Sequence, residues 1–500
     1  MTRLATSTAL ALCLGASPAL ADLTAQEVWD SLESALVGFG YTVTATEDPS
    51  SDGLDVREIR MVFALPDDIG EASATVPLIE LTENGDGSVD MAFPQAMPIT
   101  VLAEAPNGES QRTVMVYDNA DLTVTVSGET DNLVYDFTAT EVSLSITEME
   151  VDGSSIMTDD ARFRISTSDV AGNATTKTGA GQPTEITQTI QMGQLSYDIA
   201  MPDEDTGELA VITGALQSVT IDSTSTLPAG FNAGDVMMTG LKARADMTYA
   251  SGASRFSIPD DLGVTTLTSQ SASGAFNLAM ADGSLTYDIS GKDIAYVATT
   301  SDFPLPINLE ASEMALRFTM PTEASESPED VALALTLGGV TLSDQLWNIF
   351  DAGGVLPRDP ATVVLDLSGQ VTPKVSFSDP ESIAAGQVPA ELNALQLNQL
   401  QINIAGAELL GTGSFTFDNS DLETFGGMPK PTGSATFGLQ GGNALIDKLI
   451  AMGLMTAEDA MGARMMMSMF AVPADGPDSL TSTIEVNDQG HVLANGMRIQ

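Results

Sequence analysis

The chain has 500 residues, with 69 acidic against 18 basic side chains and a formal net charge of −51 at pH 7. Nucleic acids and anionic membrane surfaces are bound mainly through Lys and Arg, so this charge argues against both as partners. Only 17% of the residues are charged, so the imbalance reflects scarce cations rather than crowded anions. Adaptation to a salty medium is the simplest interpretation.

The first 21 residues, MTRLATSTALALCLGASPALA, are typical of a secretory signal peptide. Arg3 precedes an apolar stretch, and Ala19-Leu20-Ala21 fits a small-x-small cleavage pattern. Cleavage near Ala21 would also remove Cys13, the only cysteine, so we expect a mature protein without disulfides or thiolate metal ligands. No later segment is long and apolar enough for a transmembrane helix. The predicted location is the periplasm or the exterior, with no integral membrane segment.

Most of the chain alternates apolar and polar residues with a period of two, which predicts half-buried β-strands. The clearest case is FNLAMADGSLTYDIS, residues 276–290. Its Asp282-Gly283 pair favours a type I′ turn, because Gly tolerates the positive φ that this turn requires. That turn would pair Phe276 with Ile289 and place the apolar residues of both strands on one face.

A change of phase occurs in LVYDFTATEVSLSIT, residues 133–147. Apolar residues occupy odd positions up to Phe137 and even positions from Val142, and residues 285–298 repeat the change. The crossing residues 138–141 include no Gly, Asn or Pro, which favours a bulge in one long strand over a turn. The sequence therefore predicts a mainly β fold of long, twisted, bulged antiparallel sheets.

The dipeptide Tyr-Asp recurs in this β pattern, as at Tyr135-Asp136 and Tyr287-Asp288. We interpret it as architectural, with Tyr facing the core and Asp facing water. A binding role is the alternative.

Short helical islands are predicted at the N-terminus, near 343–351 and at 443–470. The first begins at a capping box formed by Thr24 and Glu27. Its predicted buried side consists of Val28, Leu32, Ala35 and Leu36. The third is predicted to be two helices, the first capped by Asn443 and the second beginning at Thr456.

Two β-rich regions are predicted, an N-terminal one at 22–320 and a C-terminal one at 331–500. Residues 322–328, with sequence TEASESP, are either a linker or a long hairpin loop. One continuous elongated domain is the alternative to this division.

Methionine is concentrated in the last helical island. A candidate face for an apolar ligand or partner consists of Met461, Met465, Met466, Met469 and Phe470. Thioether side chains are flexible and polarisable, so they can accommodate varied apolar partners. The alternative is that they only fill gaps beneath the helices.

Catalytic chemistry has little support in the sequence. His491 is the only histidine, and no G-x-S-x-G element accompanies it. A zinc site would need further His or Cys ligands. We therefore predict no catalytic, cofactor or metal-binding residues, and a carboxylate-based hydrolase is the least favoured alternative.

The residues Leu342-Ser343-Asp344 with Trp347, the stretches LPRDP (356–360) and GGNALIDKLIAMGL (441–454), and Asn495-Gly496 together resemble a family of secreted proteins of unknown function from alphaproteobacteria. The likeness covers nearly all of the mature chain and implies a β-rich periplasmic protein without a transferable catalytic residue. The closing strands are also similar to envelope proteins built of long β-sheets, some of which handle lipids or maintain the outer membrane.

Together these observations predict a non-enzymatic periplasmic protein that serves as a scaffold or carrier for an apolar ligand or an envelope partner. The alternative is a purely structural or interaction protein with a filled core. The sequence does not determine the oligomeric state.

Overall fold

The computed structural model describes residues 23–500 except 66–69, 105–109, 156, 158–159, 180, 203–206, 230–239, 261–262, 302 and 377–388. The predicted signal peptide and Cys13 lie outside the described residues.

The chain is mainly β, with 67% of residues in strands and 10% in helices. The helices in the described ranges are α1 (Ala25–Gly38), α2 (Asp344–Phe350), α3 (Gly442–Ala451) and α4 (Ala457–Phe470). The strands are β1 (Thr42–Pro49), β2 (Gly53–Leu65), β3 (Gly70–Glu83), β4 (Val89–Ala92), β5 (Ala96–Glu104), β6 (Ser110–Ala120), β7 (Thr123–Glu129), β8 (Asn132–Val151), β9 (Ser154–Ser155), β10 (Arg162–Lys177), β11 (Thr184–Pro202), β12 (Leu209–Leu227), β13 (Lys242–Tyr249), β14 (Ser251–Asp260), β15 (Gly263–Ser271), β16 (Ser273–Ala281), β17 (Ser284–Thr300), β18 (Phe303–Pro321), β19 (Glu329–Leu342), β20 (Ala361–Pro373), β21 (Ala390–Ile404), β22 (Ala407–Asp418), β23 (Lys430–Gln440), β24 (Val472–Pro473), β25 (Ser479–Val486), β26 (Val492–Ala494) and β27 (Met497–Arg498).

All of these strands belong to one 27-stranded sheet, in which every pair of neighbours is antiparallel. The predicted fold class, with its helical islands, is therefore confirmed. Residues 322–328 connect β18 to β19, and these two strands pair with each other directly, for example at Phe318 and Leu333. The sheet thus continues from the predicted N-terminal region into the C-terminal one.

The predicted hairpin at 276–290 is confirmed. β16 and β17 pair Phe276 with Ile289 and Met280 with Leu285. The φ angles of Asp282 and Gly283 are 51° and 73°. Both turn residues therefore lie in the left-handed region that a type I′ turn requires.

The long strand predicted across residues 133–146 is also confirmed, because β8 runs unbroken for 20 residues. The left-handed residues that accompany the change of phase lie in neighbouring strands. They are Asp169 in β10, Ser218 in β12, Asp293 in β17 and Gly339 in β19, with φ between 47° and 62°.

These residues lie at one level of the sheet. Asp169 and Ser218 both flank the row that contains Gln194 of β11, and Asp293 and Gly339 both flank Glu313 of β18. At the same level β13 ends and β14 begins, and β15 ends and β16 begins. We call this line the crease. In β17 the left-handed Asp293 coincides with the change of apolar residues from odd to even positions. β8 makes the same change without a left-handed residue of its own, and its pairing with β10 keeps one register across residues 138–141.

One of the crease positions allows a test of backbone strain. Ser218→Gly is expected to raise the free energy of unfolding by about 0.5–1 kcal/mol, because a non-glycine residue at φ 51° costs roughly 1–2 kcal/mol. Urea denaturation followed by circular dichroism measures the change. Ser223→Gly, in the same strand away from the crease, should instead lower the stability by about 0.5–1 kcal/mol. Equal destabilisation by both substitutions would contradict the assigned strain.

Helix α1 closes the N-terminal part of the sheet. The predicted capping box is present, since the Thr24 hydroxyl accepts from the Glu27 backbone and the Glu27 carboxylate accepts from the Thr24 backbone. Val28 and Trp29 are fully buried in a core that includes Val56, Leu81, Val89, Val126 and Leu133. The predicted burial of Val28 is confirmed, whereas Trp29 was not predicted.

The predicted burial of Ala35 is wrong, because its side chain is exposed. Ala35 and Gly38 border an open cleft of about 580 Å³ between α1 and the ends of β10–β12. One side of the helix, which also includes Glu27 and Asp30, thus faces this cleft, whereas Leu32 packs against the core.

The two C-terminal helices begin differently from each other. Asn443 is not the N-cap of α3: Gly441 occupies that position with φ 75°. The Asp478 carboxylate, distant in sequence, accepts hydrogen bonds from the backbone N–H groups of Asn443 and Ala444 at 3.2 and 2.9 Å. The predicted start of α4 is confirmed, because the Thr456 hydroxyl accepts from the Asp459 backbone at 3.1 Å.

Candidate functional site

One face of the sheet carries rows of uncharged side chains that continue from strand to strand. Residues directly opposite each other in antiparallel strands point to the same side, so the pairing defines each row. The first row is Phe137, Gly172, Ile190, Ile221, Met247, Phe276, Ile289, Leu316, Leu335, Leu365, Leu400, Gly411, Phe437 and Ser482. The second is Tyr135, Ala174, Gln188, Ser223, Ala245, Leu278, Tyr287, Phe318, Leu333 and Leu367.

A third row lies across the crease. It is Leu144, Ile165, Tyr197, Gly214, Ser254, Ser269, Tyr296, Leu309 and Leu342. We call the surface defined by the three rows the inner face. None of these residues is charged, although the chain as a whole carries 69 acids. Charged side chains are therefore absent from this part of the inner face.

The opposite, outer face carries polar and charged rows. Asp136 accepts from Asn173 at 2.7 Å, Asp222 accepts from Thr189 at 2.7 Å, and Asp246 accepts from Asn277 at 2.6 Å. These partners form one row with Asp288 and Arg317. In Tyr135-Asp136 and Tyr287-Asp288, Tyr thus belongs to the inner face and Asp to the outer one. Tyr135 packs against the buried core, whereas Tyr287 lies beside the exposed Leu278.

Several aromatic rings of the inner face lie over glycines of the adjacent strand. A Cβ atom built on Gly172, Gly214 or Gly274 would come within 2.2–2.4 Å of a ring atom of Phe137, Tyr197 or Tyr249, respectively. Glycine is needed at these positions because any side chain would displace the ring.

Much of the inner face is open to solvent. Leu278, Leu333 and Ile289 have exposed fractions of 39%, 39% and 42%. The fully packed hydrophobic cluster, by contrast, lies under α1 at the N-terminal end of this face, where it includes Leu133 and contacts Tyr135. Large apolar side chains that are both adjacent and exposed mark a binding surface more often than a folding requirement.

At the crease the inner face forms a cavity of about 300 Å³. Ile289 and Leu335 line it from one side of the crease, and Ser269 and Tyr296 line it from the other. The two halves of the inner face therefore converge there. The change of phase at residues 285–298 was a sequence signal for a bend, but it did not indicate a cavity.

At the C-terminal end, helix α4 lies over the continuation of the inner face. A cleft of about 630 Å³ separates the helix from Phe437 and Leu439 of β23 and Ile484 of β25. Met466, Met467 and Phe470 form its helical wall. Since Phe437 belongs to the first inner-face row, this apolar cleft continues the same surface.

The predicted methionine face is divided by the structure. Met466 and Phe470 line the cleft, whereas Met461, Met465 and Met469 do not, and these three are 63%, 60% and 50% exposed. The sequence therefore located one end of the apolar surface. It missed the longer part of that surface, which lies on the strands. The apolar residues that pair across the hairpin at 276–290 were the sequence feature that could have indicated it.

The described residues contain no cluster of three or more His, Cys, Asp or Glu side chains that could hold a metal ion. His491 lies in a turn, where its backbone N–H donates to the Asn487 side chain at 3.0 Å. Carboxylates whose pKa is shifted take part in local hydrogen bonds. Hydrogen bonds from the backbone N–H groups of Val355 and Leu356, for example, lower the pKa of Asp351.

Comparison with known proteins identifies one family. The model of a family described as "Uncharacterized protein conserved in bacteria (DUF2125)" matches residues 241–499. The chain belongs to this family. No curated protein and no solved structure matches the chain.

The part of the DUF2125 chain that the family model matches contains the whole crease cavity and the whole cleft under α4. The core under α1 lies before it. Within the described ranges, no helix has the length and apolar character needed to cross a membrane.

Proposed function

We propose that this protein is a non-enzymatic carrier that holds the hydrocarbon part of a lipid against its inner face. The observation that carries the proposal is the combination of continuity and exposure in that face. The three rows of the inner face contain no charged residue, yet Leu278, Ile289 and Leu333 in the middle of them stay substantially exposed.

The exposed apolar area of the inner face is a source of binding free energy. Covering such area with hydrocarbon gains roughly 25 cal/mol per Å² that leaves water. A protein with a filled core would already have obtained this gain by folding, whereas here it remains available to a ligand. Apolar ligand sites are commonly clefts of roughly 300–1,000 Å³, and the cleft under α4 at about 630 Å³ lies within that range.

The charge distribution supports the same function. Carboxylates concentrated on the outer face keep an apolar-faced protein soluble and oppose aggregation through that face. We place the protein in the periplasm of a bacterial envelope, after removal of the predicted signal peptide, where a lipid carrier would act between membranes.

Native mass spectrometry of the purified protein tests the proposal. We expect species heavier than the polypeptide, which organic extraction converts to the bare mass and added lipid restores. The bare mass alone in a freshly purified sample, together with no uptake of a fluorescent fatty-acyl probe, would overturn the proposal.

The second candidate is an interaction protein that binds an envelope partner through the exposed side of α4. The exposed Met461, Met465 and Met469 on α4 favour it, because they lie outside the cleft. Cross-linking in whole cells distinguishes the two. A cross-linker at Leu278 on the inner face yields lipid adducts if the protein is a carrier, whereas one at Met465 on α4 yields one recurring protein adduct if it is an interaction protein.

A further inference from the structure

The crease cavity differs from the rest of the inner face because one wall is polar. On that wall lie Tyr249, Ser269, Ser271 and Tyr296, from β13, β15 and β17. The facing wall is apolar and consists of Met314, Leu316, Leu335 and Leu337, from β18 and β19. No charged side chain lines the cavity.

Three hydroxyl groups of the polar wall, those of Tyr249, Ser269 and Ser271, take part in hydroxyl–hydroxyl hydrogen bonds. The Tyr249 hydroxyl lies 3.1 Å from that of Ser271, and the Ser254 hydroxyl lies 2.5 Å from that of Ser269. Each hydroxyl has one donor and two acceptor sites, so one such bond leaves every pair able to donate and accept further. The polar wall can therefore bind another uncharged polar group without breaking these bonds.

The position of the Tyr249 ring is set by glycine. A Cβ atom on Gly274 would lie 2.2 Å from the Tyr249 hydroxyl oxygen, and one on Gly252 would lie 3.0 Å from the Ser271 hydroxyl oxygen. These two glycines leave the space that the hydroxyl pair occupies. The position of the polar wall is thus fixed by the local backbone at the crease.

We propose that the crease cavity binds the uncharged polar group of a lipid, a hydroxyl or an ester, while the hydrocarbon chain lies along the inner face. This inference rests on the proposed carrier function and specifies its substrate class. Burying an ionised headgroup without a counter-charge is costly, and no lining residue supplies one. The net charge of −51 further opposes anionic headgroups.

The test compares ligands that share a ten-carbon acyl chain. Binding of 1-decanoylglycerol and of decanoate to the full mature chain is measured at pH 8 by displacement of a fluorescent fatty-acyl probe. We expect decanoylglycerol to bind at least roughly tenfold more tightly, because only decanoate carries a charge that the cavity cannot pair. Equal affinities would overturn the inference.

Removal of the serine hydroxyls from the polar wall is the second test. The double variant Ser269→Ala/Ser271→Ala should bind decanoylglycerol roughly three- to tenfold more weakly than the unmodified protein and bind decane equally well. The matched control is Thr268→Val, which removes a hydroxyl from the other side of β15 and should leave both affinities unchanged. Equal loss with the control, or no loss in the double variant, would contradict the polar site.

The outcomes separate this inference from the carrier function. If decane and both decanoyl compounds bind equally, the carrier function stands and the polar site is wrong. If the fatty-acyl probe itself does not bind the unmodified protein, both proposals fail.

Discussion

Two aspartates introduced on the inner face, Leu278→Asp and Leu333→Asp, are expected to reduce lipid retention at least tenfold. The two positions share one row, are separated by Tyr287 and Phe318, and are each 39% exposed. Their exposure lets the carboxylates stay hydrated in the unliganded protein, whereas a bound hydrocarbon chain would bury them. Desolvating an unpaired carboxylate costs several kcal/mol, and about 1.4 kcal/mol already corresponds to a factor of ten.

The matched control is Ala279→Asp together with Ala332→Asp. These alanines are the adjacent residues in the same two strands and face the outer side, so the control adds the same charge without altering the inner face. Copurified lipid is quantified by native mass spectrometry, with circular dichroism confirming the fold of both proteins. Equal lipid content in the two double variants would mean that hydrocarbon is not held on the inner face.

Loss of the indole at Trp29 is expected to be the most damaging single change to stability. Trp29→Ala should lower the free energy of unfolding of the N-terminal part of the sheet by about 3–5 kcal/mol, since the side chain is fully buried among strands and leaves a cavity. It also removes the hydrogen bond that the Trp29 indole donates to Glu47 at 3.1 Å. Urea denaturation with a circular-dichroism signal measures the loss.

Trp347 provides the comparison because it is the other of the two tryptophans. It lies half-buried on α2, where its ring centre is 5.0 Å from that of the tilted Phe350 ring and 5.9 Å from the Arg358 guanidinium. Trp347→Ala should therefore cost about 1–2 kcal/mol, in line with partial burial. A loss at Trp347 equal to that at Trp29 would show that α1 does not close the principal core.

Local patterns were sufficient where neighbouring residues in sequence decide the structure. The hairpin at 276–290 follows from two turn residues and alternation, and the start of α4 follows from Thr456 and its hydrogen bond to the Asp459 backbone. The cap of α3 could not be predicted in this way. Its hydrogen-bond acceptor is Asp478, 34 residues from Ala444, and nothing near Asn443 indicates that partner.

The candidate site shows the same division. The methionine-rich segment was visible because its members are close in sequence, but only the folded sheet shows that Met466 and Phe470 overhang Phe437 whereas Met461 and Met465 do not. Likewise, the change of phase in residues 285–298 predicted a bend. It could not show that left-handed residues in separate strands align into one crease.

The sequence by itself determined a β-rich protein of alternating strands with helical islands, because side-chain alternation and turn chemistry act over a few residues. Tertiary structure alone decided that the apolar residues of distant strands align in charge-free rows and that helices cover only the ends of those rows. The reason is that strand register is a relation between segments far apart in the chain. A shift of one residue would have moved every one of these side chains to the other face.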